Sequence, residues 1–387
     1  GRYTIFVKKG IYKEKLLLSS SKVNVVLRGE DRDSTVLTYD DYAGIAGGTS
    51  GSYSVGIDAP DFTAVNITFR NTVKNDQTVS GQQAVALRSN EDRQAFYNCK
   101  LLGYQDTYYA WGGSGTGRVY MKNCYIEGSV DFIFGRDIVL FDSCELHVNR
   151  NKCSLTAAST DPESQFGFVF KDCNISYDSV GFDGNVVSKI YLGRAWQAEP
   201  RTVFMNTYEP SVIDSLGWNQ QPINTGIIPA LYGVYQDYGP GYNETGHAQG
   251  IGSILTSTEA ADYTIENIFS KNSNPGFAYD WIPSNPVTSV KDDENINQVP
   301  LNFQLFQNYP NPFNPSTTIK YGIPQSSHVK IILYDILGRE VATIVNEVKN
   351  AGYYTVKFNA SSLASGVYFY RIEAGNFVQV KKMMLLK

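Results

Sequence analysis

The chain has 387 residues, of which 42% are hydrophobic, and a formal net charge of −5. This length allows a large core and two or three domains. The negative charge and the lack of a Lys/Arg block argue against nucleic-acid binding, and no apolar run approaches the roughly 20 residues that span a bilayer.

Strand-like segments begin at the first residues and continue to about Trp281. Short apolar runs bounded by Gly, Asn or Asp recur as YTIFV, VNVVLRG, VNITFRN and RTVFMN. Few segments have helical spacing, and 27 Tyr and 20 Phe favour strands. The fold is therefore predicted to be all-β. Because residue 1 falls directly on a strand, we expect the natural N-terminus and a first coil to precede it.

Four of these strands share a pattern in which Asn, Asp or Ser precedes a cysteine. They are AFYNCKL (95–101), VYMKNCYI (119–126), LFDSCEL (140–146) and VFKDCNI (169–175). Their cysteines are 25, 20 and 29 residues apart, which is too short for a βαβ unit and fits one coil of a β-helix. We expect a column of buried thiols rather than disulfides, with Cys153 left over.

Two aspartates stand at equal offsets within this repeat. Asp106 follows Cys99 by seven residues, and Asp131 follows Cys124 by seven. Residues at equal offsets on stacked coils become lateral neighbours, roughly 4.8 Å apart. The two carboxylates are therefore predicted to lie side by side.

Neighbouring carboxylates cannot both ionise cheaply, so one pKa should rise while a cation holds the other down. Arg194 is the expected cation, since a guanidinium binds a carboxylate through two parallel bonds. Gln83 and Gln105, 22 residues apart, add amide donors about one coil apart. A nucleophile, a proton donor and an oxyanion hole are the parts that acyl transfer needs.

At these residues the chain resembles the pectin methylesterases. The matching segments, over about 280 residues, are GRYTIFVKKGIYKEKL, VNITFRNT, QAVALR, YQDT, DFIFG, YLGRAW and the GW at 217–218. The resemblance implies a right-handed parallel β-helix like that of the pectin lyases, a carbohydrate esterase, and no metal or other cofactor. Ala195 and Tyr108 depart from the usual Pro and Leu, which affects loop stiffness and substrate fit.

Carried over by motif, the resemblance assigns Asp131 as the nucleophile and Asp106 as the acid and then the base. Gln83 and Gln105 would be the oxyanion donors, and Arg194 would hold Asp131. The residues expected to contact the sugar rings are Trp196, Trp218 and Phe134.

Structural alternatives exist for each of these residues. Asp131 could cap a turn, and the glutamines could form an amide ladder along the solenoid. Arg194 could be a surface cation packed on Trp196. For Trp218, core or rim packing competes with substrate contact. The glycine-rich stretch GGSGTG at 112–117 lacks the ending of a phosphate-binding loop and is interpreted as a flexible loop beside the cleft.

A polar segment at 283–302 is predicted to be a linker. Beyond it the sequence pattern changes to short strands separated by turn residues, which predicts a small β-sandwich. The tail resembles the C-terminal sorting domain of the type IX secretion system. The matching segments are NYPNPFNP (308–315), LYDILGREV (333–341), LASGVYFY (363–370) and the basic end at 381–387. An accessory sandwich, such as a carbohydrate-binding module, is the alternative.

The predicted organisation is a catalytic β-helix over 1–282, the linker over 283–302 and the sorting domain over 303–387. The predicted function is hydrolysis of galacturonate methyl esters in pectin by a secreted or surface-attached bacterial protein. We expect a monomer whose partners are pectin and the type IX machinery. Two alternatives are an esterase acting on another substrate and a non-catalytic carbohydrate-binding protein.

Overall fold

The computed structural model describes residues 2–113, 115–197, 199–284, 303–306, 308, 311–375 and 377–386. The chain divides into two compact units, with the boundary at residues 289 and 290. Residues 285–302 of the predicted linker lie outside the described residues, as do Tyr309, Pro310 and Lys387 of the predicted sorting motifs. The predicted domain boundaries therefore stay a prediction.

Three parallel sheets, named A, B and C, form the first unit. Sheet A contains the strands Tyr3–Val7, Val25–Gly29, Thr63–Val65, Gln94–Tyr97, Arg118–Lys122, Ile138–Asp142, Phe168–Lys171, Arg201–Met205, Leu231–Tyr235 and Ser253–Ile254. Sheet B contains Gly10–Lys13, Thr35–Tyr39, Thr68–Asn71, Lys100–Leu102, Tyr125–Gly128, Glu145–Val148 and Asn174–Tyr177. Sheet C contains Leu16–Leu18, Val55–Ile57, Leu87–Ser89, Tyr108–Ala110, Ile133–Gly135, Cys153–Ala158 and Ile190–Ala195.

The chain visits sheets A, B and C in turn and then returns to A one strand further along. Each strand pairs in parallel with its counterparts on the neighbouring coils, for example Ala95 with Tyr120 in sheet A and Leu101 with Ile126 in sheet B. This arrangement confirms the prediction of a right-handed parallel β-helix.

The bend from sheet A to sheet B explains why Asn, Asp or Ser precedes each repeated cysteine. These residues have φ between 50° and 55°, in the left-handed region that Asn and Asp tolerate better than most residues. They are Asn98, Asn123, Ser143 and Asp172. A short polar side chain at this position lets the chain turn sharply, so that the cysteine after it points into the core.

The predicted thiol column is present in the core of the helix. Cys99, Cys124, Cys144 and Cys173 are buried and free, as is Cys153. Phenylalanines stack in the same way, with ring centroids 4.4 Å apart between Phe141 and Phe170. Side chains of the same type stack on each other because they stand at equal offsets on successive coils.

Short helices complete the first unit. They are Ala43–Ala46, Glu244–His247, Ser257–Ala260 and Ile265–Ile268, with 3-10 turns at Thr49–Gly51 and Lys271–Ser273. Apolar residues from the later helices pack against sheet A in one buried cluster. Among the described residues, no helix has the length and apolar character needed to cross a membrane.

The second unit is a small β-sandwich of antiparallel strands, as predicted. One sheet contains Gln304–Leu305, Ser316–Ile323 and Gly352–Asn359. The other contains Glu340–Lys349, Ser327–Tyr334, Gly366–Ala374 and Phe377–Leu385. Its own apolar core, which includes Ile331, Tyr370 and Met383, lies between the two sheets.

Candidate active site

Asp106 and Asp131 lie at the bend from sheet B to sheet C on adjacent coils. Tyr108 pairs with Ile133 in sheet C. Asp106 precedes Tyr108 by two residues, and Asp131 precedes Ile133 by two. The backbone N–H of Asp106 donates to the carbonyl of Val130 at 3.1 Å, so the register continues through the bend. Both aspartates have left-handed φ values, 67° and 51°. The prediction that they are lateral neighbours is confirmed.

The structure brings Arg194 to Asp131. Arg194 lies in the strand Ile190–Ala195, two strands beyond that of Asp131 in sheet C. Its Nε donates to Asp131 Oδ1 at 2.9 Å and its Nη2 to Oδ2 at 2.5 Å. Two parallel bonds from a guanidinium, which stays charged at all relevant pH values, select the ionised form of this carboxylate.

Both aspartates are more than nine-tenths buried, and burial dominates their titration. Burial raises the pKa of Asp106 well above its ordinary range, the charge of Asp131 raises it further, and Arg194 and a side-chain hydrogen bond from Gln105 oppose the rise. Burial also raises the pKa of Asp131, against the bonds and charge of Arg194, which lower it. The expectation that one pKa is held below its ordinary value is therefore wrong, because desolvation outweighs the ion pair.

The difference in partners nevertheless separates the two groups. Asp131 has the direct cation, whereas Asp106 has an amide donor and a neighbouring negative charge. Protonation of Asp106 therefore relieves repulsion without breaking an ion pair. The arrangement favours one proton held by Asp106 beside an ionised Asp131.

Gln83 and Gln105 line the same cleft as the two aspartates. Adjacent Gln82 has a different role, because its amide donates to Asp76 Oδ1 at 2.7 Å and its oxygen accepts from the Gln77 N–H at 2.6 Å. In the part of the chain that the structure describes, no such bond engages the Gln83 amide. Of the neighbours Gln82 and Gln83, it is therefore Gln83 whose side-chain amide can donate to a bound group.

The cleft has a volume of about 310 Å³ and an aromatic floor. Phe134 and Tyr109 are stacked, with centroids 4.4 Å apart and planes 5° apart. Trp196 packs edge-on against Phe134 at 5.7 Å. Sequence reasoning missed Tyr109, although it stands three residues after Asp106 just as Phe134 stands three after Asp131, so the equal-offset argument would have found it.

Trp218 does not belong to this floor, and its expected contact with substrate is wrong. Its side chain is 0% exposed and stacks on Tyr232 with ring centroids 4.5 Å apart. Phe204 packs beside it at 5.9 Å. The indole points into the helix interior, where it fills the core near the last coils, so the core-packing alternative holds.

Within the described residues, no group of three or more His, Cys, Asp and Glu side chains is arranged to hold a metal ion. The chemistry that the described side chains supply is that of an acid pair, a guanidinium and two amides, beside an aromatic surface. This set can attack an acyl carbon, stabilise the resulting oxyanion and protonate the leaving group.

Comparison with known proteins identifies a similar family for each of the two units. The Pectinesterase family matches residues 1–272, and the secretion system C-terminal sorting domain matches residues 307–386. Putative pectinesterase 14 of Arabidopsis thaliana is 34% identical over 266 residues, which is 67% of this chain and 75% of the relative. Probable pectinesterase/pectinesterase inhibitor 7 of the same plant is 33% identical over 70% of this chain and 46% of its own length. The chain thus spans about half the length of several curated relatives that it matches.

Solved structures are similar to the same unit. A pectin methylesterase from Erwinia chrysanthemi is 29% identical, with a TM-score of 0.61, over 73% of this chain and 90% of that one. The pectin methylesterase from carrot is 31% identical, with a TM-score of 0.60, over 71% of this chain and 85% of that one. The fold of the first unit and its sequence are therefore similar to those of the same group of proteins.

Proposed function

The chain belongs to the pectinesterase family, and from that premise we propose that it hydrolyses the methyl esters of galacturonate residues in pectin, giving pectate and methanol. The observation that carries the proposal is the bidentate Arg194–Asp131 pair beside the buried Asp106. It supplies an ionised nucleophile and a protonated acid in one cleft. The aromatic floor of Phe134, Tyr109 and Trp196 suits the apolar faces of sugar rings.

The reaction proceeds in two steps. Asp131 attacks the C6 carbonyl carbon, and the amides of Gln83 and Gln105 donate to the developing oxyanion. Asp106 gives its proton to the departing methoxy group, so methanol leaves and an acyl-enzyme anhydride remains. Asp106 then takes a proton from water, the resulting hydroxide attacks the anhydride, and Asp131 is released as a carboxylate.

The test is methanol release from highly methylated pectin, without added metal, by wild type and by the Gln83→Ala and Gln82→Ala variants. Wild type should release methanol, and Gln83→Ala should lower kcat by roughly 10²–10³-fold because one oxyanion donor is lost. Gln82→Ala is the matched control at the neighbouring position. It should mainly lower thermal stability, because the loop at residues 76–78 loses its hydrogen bonds to the Gln82 side chain. Unsaturated fragments in place of methanol would indicate a lyase, and equal losses in the two variants would contradict the oxyanion role.

We propose that the second unit directs export through a type IX secretion system, to a secreted or surface-attached location. The match over residues 307–386 and the sandwich fold support this proposal. Residues 303–387 fused to a reporter should carry it out of a bacterium that has this system. A reporter that stays in the periplasm would contradict the sorting role.

A further inference from the structure

Three ionisable side chains are buried together in the last coils of the first unit. Glu209 and His247 are 0% exposed, and Asp237 is 4% exposed. Glu209 and Asp237 follow neighbouring strands of sheet A, and His247 ends the short helix Glu244–His247. None of the three lines the active-site cleft. They are here called the buried acid cluster.

The members of the buried acid cluster have few hydrogen-bond partners. The Thr207 N–H donates to Asp237 Oδ1 at 2.8 Å. His247 Nε2 is 3.6 Å from Glu209 Oε2, which is too far for a hydrogen bond. Within the described residues, no aligned hydrogen bond reaches Asp237 Oδ2, either carboxyl oxygen of Glu209 or either imidazole nitrogen. Buried polar atoms normally have such partners, so this cluster requires a physical explanation.

The surroundings of the cluster do not supply a compensating positive charge. Across the part of the chain that the structure describes, no Lys or Arg forms an ion pair with Glu209 or Asp237. The other ionisable groups that face the cluster are Tyr238, Tyr242, Glu244, Asp214 and Lys189. The only cation among these is already paired, because Lys189 Nζ lies 2.5 Å from Asp214 Oδ2.

The two carboxyls therefore hold a proton between them at neutral pH. Burial raises the pKa of Glu209 to about 9, and the charge of Asp237 adds to the rise. Burial also raises the pKa of Asp237 to about 7, although the Thr207 N–H and a bond from Glu209 lower it. Burial lowers the pKa of His247 to about 4, so the imidazole is neutral when the carboxyls titrate. Loss of the last proton leaves two buried negative charges without a cation, which is strongly unfavourable.

The cluster also lies against the segment that flanks the strand of Arg194. Backbone bonds of 2.9 and 3.0 Å join residues 192 and 193 of that strand to residues 217 and 219. Gly217 has a φ of 69°, and a Cβ at this position would lie 2.6 Å from His247 Cδ2. The imidazole therefore packs directly against the backbone that holds the arginine strand at its outer edge.

We infer that the buried acid cluster positions Arg194 through Gly217, and that ionisation of both carboxyls at alkaline pH removes this support. The inference rests on the proposed function, and it adds a proton-dependent control of the same active site. The three members are positioning residues, because they act on Arg194 through the backbone and do not line the cleft.

The order of events follows from the contacts. When both carboxyls are charged, the helix Glu244–His247 moves away and admits water to them. Gly217 then loses the imidazole that packs against it, and the strand of Arg194 loses its outer neighbour. The guanidinium holds Asp131 less firmly, so kcat falls while the fold of the earlier coils is unchanged.

The raised pKa values fix the direction of the pH dependence. The closed cluster holds protons that the open cluster releases, so its contribution to stability is complete below about pH 4. That contribution is lost as the pH rises through about 7 and then about 9. Between these two values Glu209 holds one such proton, and the equilibrium constant for opening should therefore increase about tenfold per pH unit.

Hydrogen–deuterium exchange of the full chain between about pH 7 and 9 tests the inference. Protection factors, which divide out the direct effect of pH on exchange, should fall about tenfold per pH unit over residues 190–195 and 217–223 in wild type. They should be constant in Glu209→Gln, because the amide keeps the shape and does not titrate. Protection over residues 119–126 should not change in either protein.

Methanol release measures the consequence for catalysis. The ratio of kcat for Glu209→Gln to kcat for wild type should be near 1 at neutral pH and should rise with pH. The rise can reach about 10²-fold, because a displacement of about 1 Å in a catalytic group costs that much. KM should change less than kcat. The ratio removes the titration of Asp106, which both proteins share.

Glu266→Gln is the matched control, because Glu266 is exposed on the helix Ile265–Ile268. It should keep the pH dependence of wild type. Constant protection of residues 190–195 in wild type would overturn the inference, and so would loss of protection confined to residues 244–247. Failure of wild type to release methanol at every pH would instead overturn the proposed function, and the exchange result would stand by itself.

Discussion

Replacing Asp131 with Asn should lower the rate of methanol release from methylated pectin by roughly 10⁴-fold or more, as for loss of a covalent nucleophile. The amide has nearly the shape of the carboxylate but cannot form the acyl-enzyme. Single-turnover kinetics should also show no acyl-enzyme on the variant. Because the substitution removes the partner of the Arg194 guanidinium, the fold of the variant must be verified by thermal unfolding.

Asp172→Asn provides the matched control for this substitution. Asp172 also has a left-handed φ, 55°, at a bend of the same β-helix, but it is exposed and lies between sheets A and B. The control changes one carboxylate to an amide at a comparable turn, so its activity should equal that of wild type. Activity of Asp131→Asn within tenfold of wild type would exclude Asp131 as the nucleophile.

Replacing Asp106 with Asn should lower methanol release by about 10²–10⁴-fold, the range for loss of a general acid and base. The nucleophile and its arginine remain, so a leaving group that needs no proton should suffer less. An activated aryl ester of galacturonate should therefore recover much of the rate of the first step. Equal losses on the methyl and aryl esters would contradict the role of Asp106 as the acid.

The same substitution should stabilise the fold at neutral pH. The folded pKa of Asp106 lies well above its unfolded value of about 3.9, so the folded state holds a proton that the unfolded chain releases. Its contribution to stability is present below about pH 4 and is lost as the pH rises through the folded pKa. Asn does not titrate, so the stability gain over wild type should be absent near pH 4 and grow as the pH rises.

Thermal unfolding of wild type and Asp106→Asn between pH 4 and 8 measures this difference. A variant that loses activity yet unfolds at a higher temperature is the outcome expected when a buried carboxyl is retained for chemistry at a cost in stability. If the two proteins unfold at the same temperature at every pH, the pKa of Asp106 is not raised by its surroundings.

The local patterns of the sequence were enough to predict the coil architecture and the central pair. A residue before each cysteine that tolerates left-handed φ marks the bend, and the equal offset from the cysteine places Asp106 beside Asp131. These inferences succeed because a solenoid converts sequence spacing directly into lateral contact. Offsets thus carry three-dimensional information in this fold that they lack in most others.

Equal offsets in the repeat also predict neighbours other than the two aspartates. Tyr109 stands at the same offset as Phe134, so the repeat already contained the stacked pair of the aromatic floor. The long-range ion pair is different. Arg194 lies 63 residues from Asp131, and the spacing alone did not select it from the other arginines.

The sequence by itself determined the all-β coils, the neighbouring carboxylates and the resemblance to an esterase, because each follows from residue type at a repeated position. Only the tertiary structure decided where the remaining side chains point and how much water reaches them. It placed Trp218 in the core rather than in the cleft, and it raised the pKa of both aspartates despite the arginine. Burial depends on everything that packs around a group, including distant coils, so no local spacing could have revealed it.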